Sequence, residues 1–440
     1  MIIEPKVLKG FRDSLPQEEM QKKAIIARLE KIFSSYGFVP IDTPVLEYTE
    51  VLLGKGGGET DKQIFRFLDN GNREVAMRFD LTVPFARFMA AHLSELPLPF
   101  KRYHIDKVWR GENPQKGRYR EFYQCDFDIV GVDNAEADYE ILSMMDSSFA
   151  SLGIGGYTFH VAHRGLFNAF LDHLGVSGQS VEILREVDKL RKLGKDEVLS
   201  SLTEITKDEG KATEIMRFIT KENPDESFKE TVQRLSTLAG GETDHTGRML
   251  KILSYLEDSG ISGHFTYDPS ITRGLDYYTG IVYETFLDGL DQFGSVCSGG
   301  RYNNLASLYT KQELPGVGSS IGLDRLLSAL NEKHSAVLGS QRSADVFIVA
   351  MDESLRPWYN SLAMKIRKAG LRADLYLPEG KKLGAQFKYA EQNRIPFALT
   401  CGSNEHDADK VTLKNLATRE SDQMVSLEDA IETIRKGLID

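Results

Sequence analysis

The sequence predicts an α+β core on a mixed, mainly antiparallel sheet, interrupted by a helical insertion and followed by a smaller α/β domain. Three observations lead there. Strand-like runs at 75–82, 100–110 and 119–130 alternate polar and apolar residues. From about Gly175 to Gly263 the texture changes to charged, helix-periodic segments such as VEILREVDKLRKL, nearly free of aromatic residues. Beyond residue 344, the runs VFIVAM, LRADLYL and IPFALTCG alternate with amphipathic helices near 353–369 and 383–393, the β/α rhythm of a small domain with some parallel strands. A chain of 440 residues also exceeds what one hydrophobic core usually serves. The expected boundaries are a core over 1–332 carrying an insertion at 175–263, a linker at 333–343 and a C-terminal domain over 344–440.

In chain order, residues 16–36 predict an amphipathic helix: Pro16 lies in the first turn, and Ile25, Ile26, Leu29, Ile32 and Phe33 recur at helical spacing. Gly37 ends it, and Pro40 and Pro44 hold FVPIDTPVLE extended. The strand-like runs follow, then the insertion. Strands and glycines return at 264–321, with a helix from about Leu323 to Asn331.

Composition is that of an ordinary globular chain, 41% hydrophobic and 27% charged. Cys125, Cys297 and Cys401 are scattered, without CxxC or metal-ligand spacing, which suits a reducing compartment and argues against a structural zinc site. The start lacks the apolar run of a signal peptide, and no stretch approaches the ~18 apolar residues of a membrane span. A cytoplasmic protein is expected. The net charge of −11 argues against a nucleic-acid partner only globally, because phosphate contacts depend on local clusters. One such cluster, residues 101–120, holds seven Lys/Arg against Asp106 and Glu112.

Strand side chains alternate between faces, so each run sorts by parity. One face collects Arg102, His104, Asp106, Val108 and Arg110; its neighbour collects Phe122, Gln124, Asp126 and Asp128; and Arg78, Asp80 and Thr82 alternate with Met77, Phe79 and Leu81. Three strands are therefore expected to share an apolar face and a face of arginine, carboxylate, amide and hydroxyl groups arranged around a charged ligand. The bland reading of any one of them is a solvated sheet face. GENPQKGRYR (111–120) reads as a hairpin turn whose cations close over a polyphosphate, with Arg110 at its base and Phe122 offering a face to a purine. None of the nine histidines is expected to be catalytic, and His104 is read as structural.

The pattern WRGE…GRYREFYQCDFD (109–128) resembles the second motif of class II aminoacyl-tRNA synthetases. The Pro44 segment is similar to their first motif, which in that family lies at a dimer interface, and GVGSSIGLDRLLSAL (316–330) to their third. TRGLDYYTG (272–280) and GSVCSGGRYNNL (294–305) resemble the two histidine-specific motifs of the histidine–tRNA ligases, and the likeness covers essentially the whole chain. Asn303 stands where that family usually has Asp, and Ser298 where it usually has Ala.

The resemblance implies a class II synthetase-like core with an anticodon-binding C-terminal domain, and a reaction in two steps: L-histidine plus ATP gives histidyl-adenylate, and the histidyl group then moves to the 3′ end of tRNA(His). It implies Arg110 and Arg273 as the catalytic cations bracketing the α-phosphate, Arg325 on the γ-phosphate, Glu112 on the adenine edge and Phe122 on its face. Mg2+ would accompany ATP, with no protein ligand to a metal assigned. The histidine ammonium would meet Asp80, Thr82 and Gln124, and the imidazole Asp128 and Tyr278, with Tyr277 alongside. Arg118, Gly299, Gly300, Arg301 and Tyr302 complete the implied set, and Lys381, Lys382, Lys388 and Arg394 are candidate RNA backbone contacts. A homodimer is expected, with neither DNA nor membrane as a partner and no editing domain. Two rival readings are a non-catalytic, histidine-sensing regulatory subunit of ATP phosphoribosyltransferase and an RNA-binding module with a relic core; histidine-dependent ATP–pyrophosphate exchange separates all three.

Overall fold

A computed structural model describes residues 2–54, 63–115, 117–223, 225–272, 278–332, 342–378 and 382–438; Arg273, Tyr277, Lys381 and most of the expected linker lie outside the described residues. The chain forms two compact units, Met1–Ser14 with Lys22–Val337, and Leu15–Gln21 with Leu338–Asp440. The division after Val337 falls inside the expected linker.

Helix α1 (Pro16–Ser35) buries Ile25, Leu29 and Phe33, one stripe of the predicted amphipathic pattern. After it come β1 (Val39–Pro40), β2 (Leu46–Tyr48), α2 (Thr49–Leu53), β3 (Arg66–Leu68), β4 (Glu74–Met77) and α3 (Thr82–His92). Next are β5 (Phe100–Trp109), β6 (Glu121–Val130), α4 (Ala135–Ser151), β7 (Tyr157–His163) and α5 (Arg164–His173). The insertion is helical as expected: α6 (Ser180–Val187), α7 (Leu190–Leu193), α8 (Lys195–Thr206), α9 (Glu209–Ile219), α10 (Phe228–Leu238) and α11 (Asp244–Asp258). β8 (Phe265–Tyr267), β9 (Ile281–Leu287), β10 (Cys297–Tyr302), β11 (Gly316–Gly322) and α12 (Leu323–Glu332) complete the first unit.

Among the described residues its main sheet runs β1-β5-β6-β11-β10-β9-β7-β8. The six inner strands pair antiparallel, while β1 and β8 join the edges in parallel. The sheet is thus mixed and mainly antiparallel. Phe33 of α1 packs 5.5 Å from the Tyr103 ring and 4.9 Å from that of Phe127, both on the odd, apolar face of the β5–β6 hairpin. That packing turns the even, polar face away from α1. In register, Arg102 stands opposite Asp128, His104 opposite Asp126, Asp106 opposite Gln124 and Val108 opposite Phe122. Parity was therefore a sound guide to this hairpin.

Parity misled at 77–82. β4 ends at Met77, and Thr82 already opens α3, so this run is not a third strand of the polar sheet. Arg78 does not face a ligand. It is fully buried, donates to the carbonyls of Thr43 (2.6 Å) and Lys107 (3.0 Å), and pairs with Asp106 at 2.6 Å.

In the second unit β12 (Val346–Ala350), α13 (Arg356–Lys368), β13 (Ala373–Leu375), α14 (Leu383–Gln392) and β14 (Phe397–Cys401) are followed by α15 (Ser403–Asp407), β15 (Val411–Asn415), β16 (Ser421–Val425) and α16 (Leu427–Lys436). β13, β12 and β14 are parallel, and β15 and β16 extend the sheet antiparallel. Ile348, Leu399, Tyr359, Ile366 and Ile434 form the centre of its core. Lys382, Lys388 and Arg394 are exposed. Among the described residues no helix is long and apolar enough to cross a membrane.

Candidate active site

A cleft of about 570 Å³ opens over β6, β11, β10 and β9, with Arg110 just beyond the end of β5 at its rim. Twelve of the residues expected at the site line it: Asp80, Thr82, Arg110, Glu112, Arg118, Phe122, Gln124, Asp128, Tyr278, Gly299, Tyr302 and Arg325. Gly300 and Arg301 do not. Arg301 is a correction to the expected set: its buried guanidinium is held by Asp138 at 2.7 and 2.8 Å and by the Val132 carbonyl at 3.1 Å, so it braces β10 from outside the cleft. Arg273 and Tyr277 lie outside the described residues.

The floor is acidic and only partly satisfied. Oδ1 of Asp80 accepts from the Val83 amide at the start of α3 (3.1 Å), while its buried Oδ2 has no hydrogen-bond partner. Burial pushes the Asp80 carboxyl up to about 6. Gln124 donates through Nε2 to Ser320 Oγ (2.7 Å), which orients its amide, and its Oε1 is likewise buried without a partner. A buried acceptor left open costs free energy unless a ligand satisfies it. A carboxylate and an amide oxygen, both open to one cleft, suit an ammonium group.

Asp128 is the centre of a tighter arrangement. Its Oδ2 pairs with Nη2 of the fully buried Arg102 at 2.6 Å, and its Oδ1 accepts from the Tyr302 hydroxyl at 2.5 Å. Burial raises its carboxyl above the ordinary range, and Arg102 and Tyr302 work against that rise. The salt bridge to a neighbouring arginine and a position in the cleft wall are thus both true of Asp128. Tyr278, the phenol expected beside Asp128 for the imidazole, lines the same wall, and the Tyr302 hydroxyl adds a second phenol there. Glycines make this packing possible. A Cβ on Gly318 would sit 1.9 Å from Asp128 Oδ1, and one on Gly300 would sit 2.5 Å from the Ile281 carbonyl and 2.8 Å from the Tyr278 ring. The glycine-rich strands β10 and β11 are therefore a requirement of the acidic pocket.

The other end is cationic. Arg110 donates through Nε to the Phe79 carbonyl (2.9 Å) with its guanidinium 5.2 Å above the Phe122 ring, and Arg325 donates to the Ser295 carbonyl (2.5 Å). Burial, then the Arg118 and Arg110 cations, push Arg325 down to about 10. Glu112 lies 3.8 Å from Arg118. Three guanidiniums are held together, two of them by neutral carbonyls, which is the electrostatic signature of a polyanion site.

The N-terminal segment pins this hairpin: the Arg120 amide donates to the Gly10 carbonyl (2.8 Å), and Arg12 pairs with Asp324 at 2.8 Å while lying 4.2 Å over the Tyr119 ring. Sequence reasoning missed those roles and Ser320; a salt bridge from Asp128 to a neighbouring arginine was its alternative reading, and Arg102 is that arginine. It also missed the third wall, where Asp188 and Arg191 of the insertion meet Glu284 and Phe286 of β9. Only chain folding brings those residues together, so no spacing in the sequence marked them.

Asn303 has a local explanation. Its Nδ2 donates to Asp133 Oδ2 at 2.8 Å, and its Oδ1 accepts from Arg301 at 3.3 Å. A carboxylate there would face Asp133 directly. Asn303→Asp is expected to lower stability by about 1 kcal/mol through the lost donor and the new repulsion, read as a lower urea midpoint. Adding Asp133→Asn should restore it, and a single variant as stable as the parent would contradict this account.

Comparison with known proteins agrees with the geometry. A family model described as Histidyl-tRNA synthetase matches residues 10–326, and one described as Anticodon binding domain matches 345–437. The chain is 49% identical to a histidine–tRNA ligase of Treponema denticola, covering 99% of this chain and 98% of the relative. A histidine–tRNA ligase of Rhodopirellula baltica is 45% identical over 96% of this chain and 95% of its own length. Among solved structures, a histidyl-tRNA synthetase from Nostoc superposes with a TM-score of 0.88 at 31% identity, covering 99% of this chain and 100% of that one.

Proposed function

The chain belongs to the histidyl-tRNA synthetase family, and on that premise we propose how its cleft carries out the reaction. The protein is a histidine–tRNA ligase, activating histidine with ATP and transferring it to tRNA. The rival of a histidine-sensing regulatory subunit is not favoured, since full-length relatives are ligases and Arg110 and Arg325 are both in place.

The observation that carries our reading is the polarity of one cleft: open acceptors over Asp80 and Gln124 at one end, clustered guanidiniums at the other. Histidine lies with its ammonium on Asp80, Thr82 and Gln124 and its imidazole toward Asp128, Tyr302 and Tyr278. ATP lies under the hairpin, its adenine against Phe122 and Glu112 and its phosphates against Arg110 and Arg325, with Arg118 above. Mg2+ would enter with ATP as part of the substrate and offset phosphate charge. By resemblance to the family, Arg273, which lies outside the described residues, would be the second cation for the α-phosphate.

The histidine carboxylate attacks the α-phosphorus, and the bond to the pyrophosphate oxygen breaks. Both reactants are anionic, so fixed cations offset their repulsion and the charge that builds at the transition state. In the second step a hydroxyl of the 3′-terminal ribose attacks the activated carbonyl and AMP leaves. tRNA(His) is the acceptor in this reading, with residues 344–440 binding its anticodon; the anticodon-binding family match and the exposed Lys382, Lys388 and Arg394 support that.

We take the enzyme to be a cytoplasmic homodimer. Val39, Val45, Leu46, Tyr48, Phe67 and Leu68 are exposed on and around the Pro44 segment, an apolar surface suited to a second copy. The full chain should catalyse ATP–pyrophosphate exchange with L-histidine and charge tRNA(His). Absence of exchange, or exchange driven equally by another amino acid, would overturn the reading.

A further inference from the structure

At the β1 edge of the main sheet, outside the cleft, stands a second group of polar residues that the reaction does not use. His104 of β5 is 97% buried, since its relative exposure is 3%, and neither ring nitrogen has a hydrogen-bond partner. A buried imidazole normally has at least one such partner. Its Nε2 lies 3.3 Å from Oδ1 of Asp42, in the segment after β1. Asp106 lies two residues along β5 on the same face, and ligand atoms of all three lie within 4.8 Å of one another.

We infer that Asp42, His104 and Asp106 form a binding site for one first-row divalent cation, with Zn2+ as the best fit and Mn2+ next. Two tetrahedral ligands at about 2.0–2.1 Å from a zinc ion stand about 3.3 Å apart, which matches the Nε2–Oδ1 distance already present. The widest pair must close by up to about 1.5 Å, and the Asp42 side chain is 83% exposed. An imidazole nitrogen with two carboxylates favours zinc or manganese over Mg2+, which prefers an all-oxygen shell.

Arg78 flanks the site, 2.6 Å from Asp106 and 4.0 Å from Asp42. It orients the Asp106 carboxylate as an outer-shell partner does, together with the Lys107 amide at 2.7 Å. Two carboxylates face the Arg78 guanidinium, and Arg102 also acts on His104, so a divalent ion is held less tightly than in a fully anionic site. The ion would staple the segment after β1 to β5. It takes no part in adenylate formation, since none of the three residues lines the cleft.

The test is calorimetric titration of ZnCl2, then MnCl2, into the full-length protein after dialysis against a chelator. One Zn2+ per chain should bind, with affinity falling at least tenfold in both Asp42→Asn and His104→Gln. MgCl2 should bind far more weakly. Asp42→Asn changes an exposed side chain, so it keeps the test interpretable if the buried His104→Gln fails to fold, and its ATP–pyrophosphate exchange should equal that of the parent. No saturable Zn2+ binding by the parent, or parental Zn2+ affinity in either folded variant, would overturn the proposal.

Discussion

Arg110→Ala is expected to slow histidine-dependent ATP–pyrophosphate exchange by about 10²–10³, the usual cost of removing one donor from developing transition-state charge. Arg110 is well placed to show this cleanly. Its side chain is tied to the protein by one hydrogen bond to the Phe79 carbonyl and by the Phe122 ring beneath it. Removing it breaks no salt bridge among the described residues, but it takes from the buried Asp80 one of the two cations that favour its charged form, so a small loss of thermal stability should accompany the loss of rate. Its cost to the resting enzyme is visible in Arg325, whose guanidinium is destabilised by burial and by the Arg118 and Arg110 cations. Such crowding of like charges is relieved when a polyphosphate enters. Arg110→Lys should recover only part of the rate, because an ammonium keeps the charge but loses the fork that engages two phosphate oxygens. Near-parental exchange by folded Arg110→Ala would sink the assignment of this end of the cleft to ATP.

How much of this was legible in the sequence depends on the kind of order each segment has. The β5–β6 hairpin alternates with a period of two, and its polar face was read correctly because Tyr103 and Phe127 had to meet an apolar helix face. The same alternation at 77–82 arose differently. Arg78 is buried by carbonyls of two other segments, and Asp80 reaches the cleft from the turn into α3. A period of two over six residues cannot distinguish these cases. Arg301 looked like a site residue because it sits in a site motif, yet its partner Asp138 is on α4. The insertion read clearly as helices, but its contribution of Asp188 and Arg191 to the cleft depends on tertiary placement. Ligands of the proposed cation site come from two separated segments, so the absence of metal-ligand spacing said nothing about it. Motif resemblance named residues of which twelve line one cleft. The fold supplied the reasons: Gly318 is glycine because Asp128 lies across it.

Asp128→Asn is expected to raise the KM for histidine by about 10²-fold while leaving the KM for ATP nearly unchanged. A hydrogen bond to a charged group contributes about 1.5–3 kcal/mol, and sites whose buried polar groups require the substrate's own discriminate most strongly. Here a buried carboxylate is fixed on one side by Arg102 and on the other by the Tyr302 hydroxyl. The isosteric amide keeps the volume and spares Gly318 any new contact, but it removes the charge that attracts the ring N–H. Alanine is a poorer test. Like asparagine it would take the counter-ion from the fully buried Arg102, a break that costs about 3–5 kcal/mol, but it would also remove the oxygen that still accepts from Arg102 and leave a cavity, which confuses loss of fold with loss of binding. Tyr302→Phe separates the two effects, because it removes only the donor to Oδ1 and leaves the ion pair intact. It should weaken histidine binding less than Asp128→Asn. Both variants should also relax discrimination against an analogue in which one ring nitrogen is replaced by carbon or sulfur. A parental histidine KM in folded Asp128→Asn would remove Asp128 from imidazole recognition and leave it as a brace for Arg102.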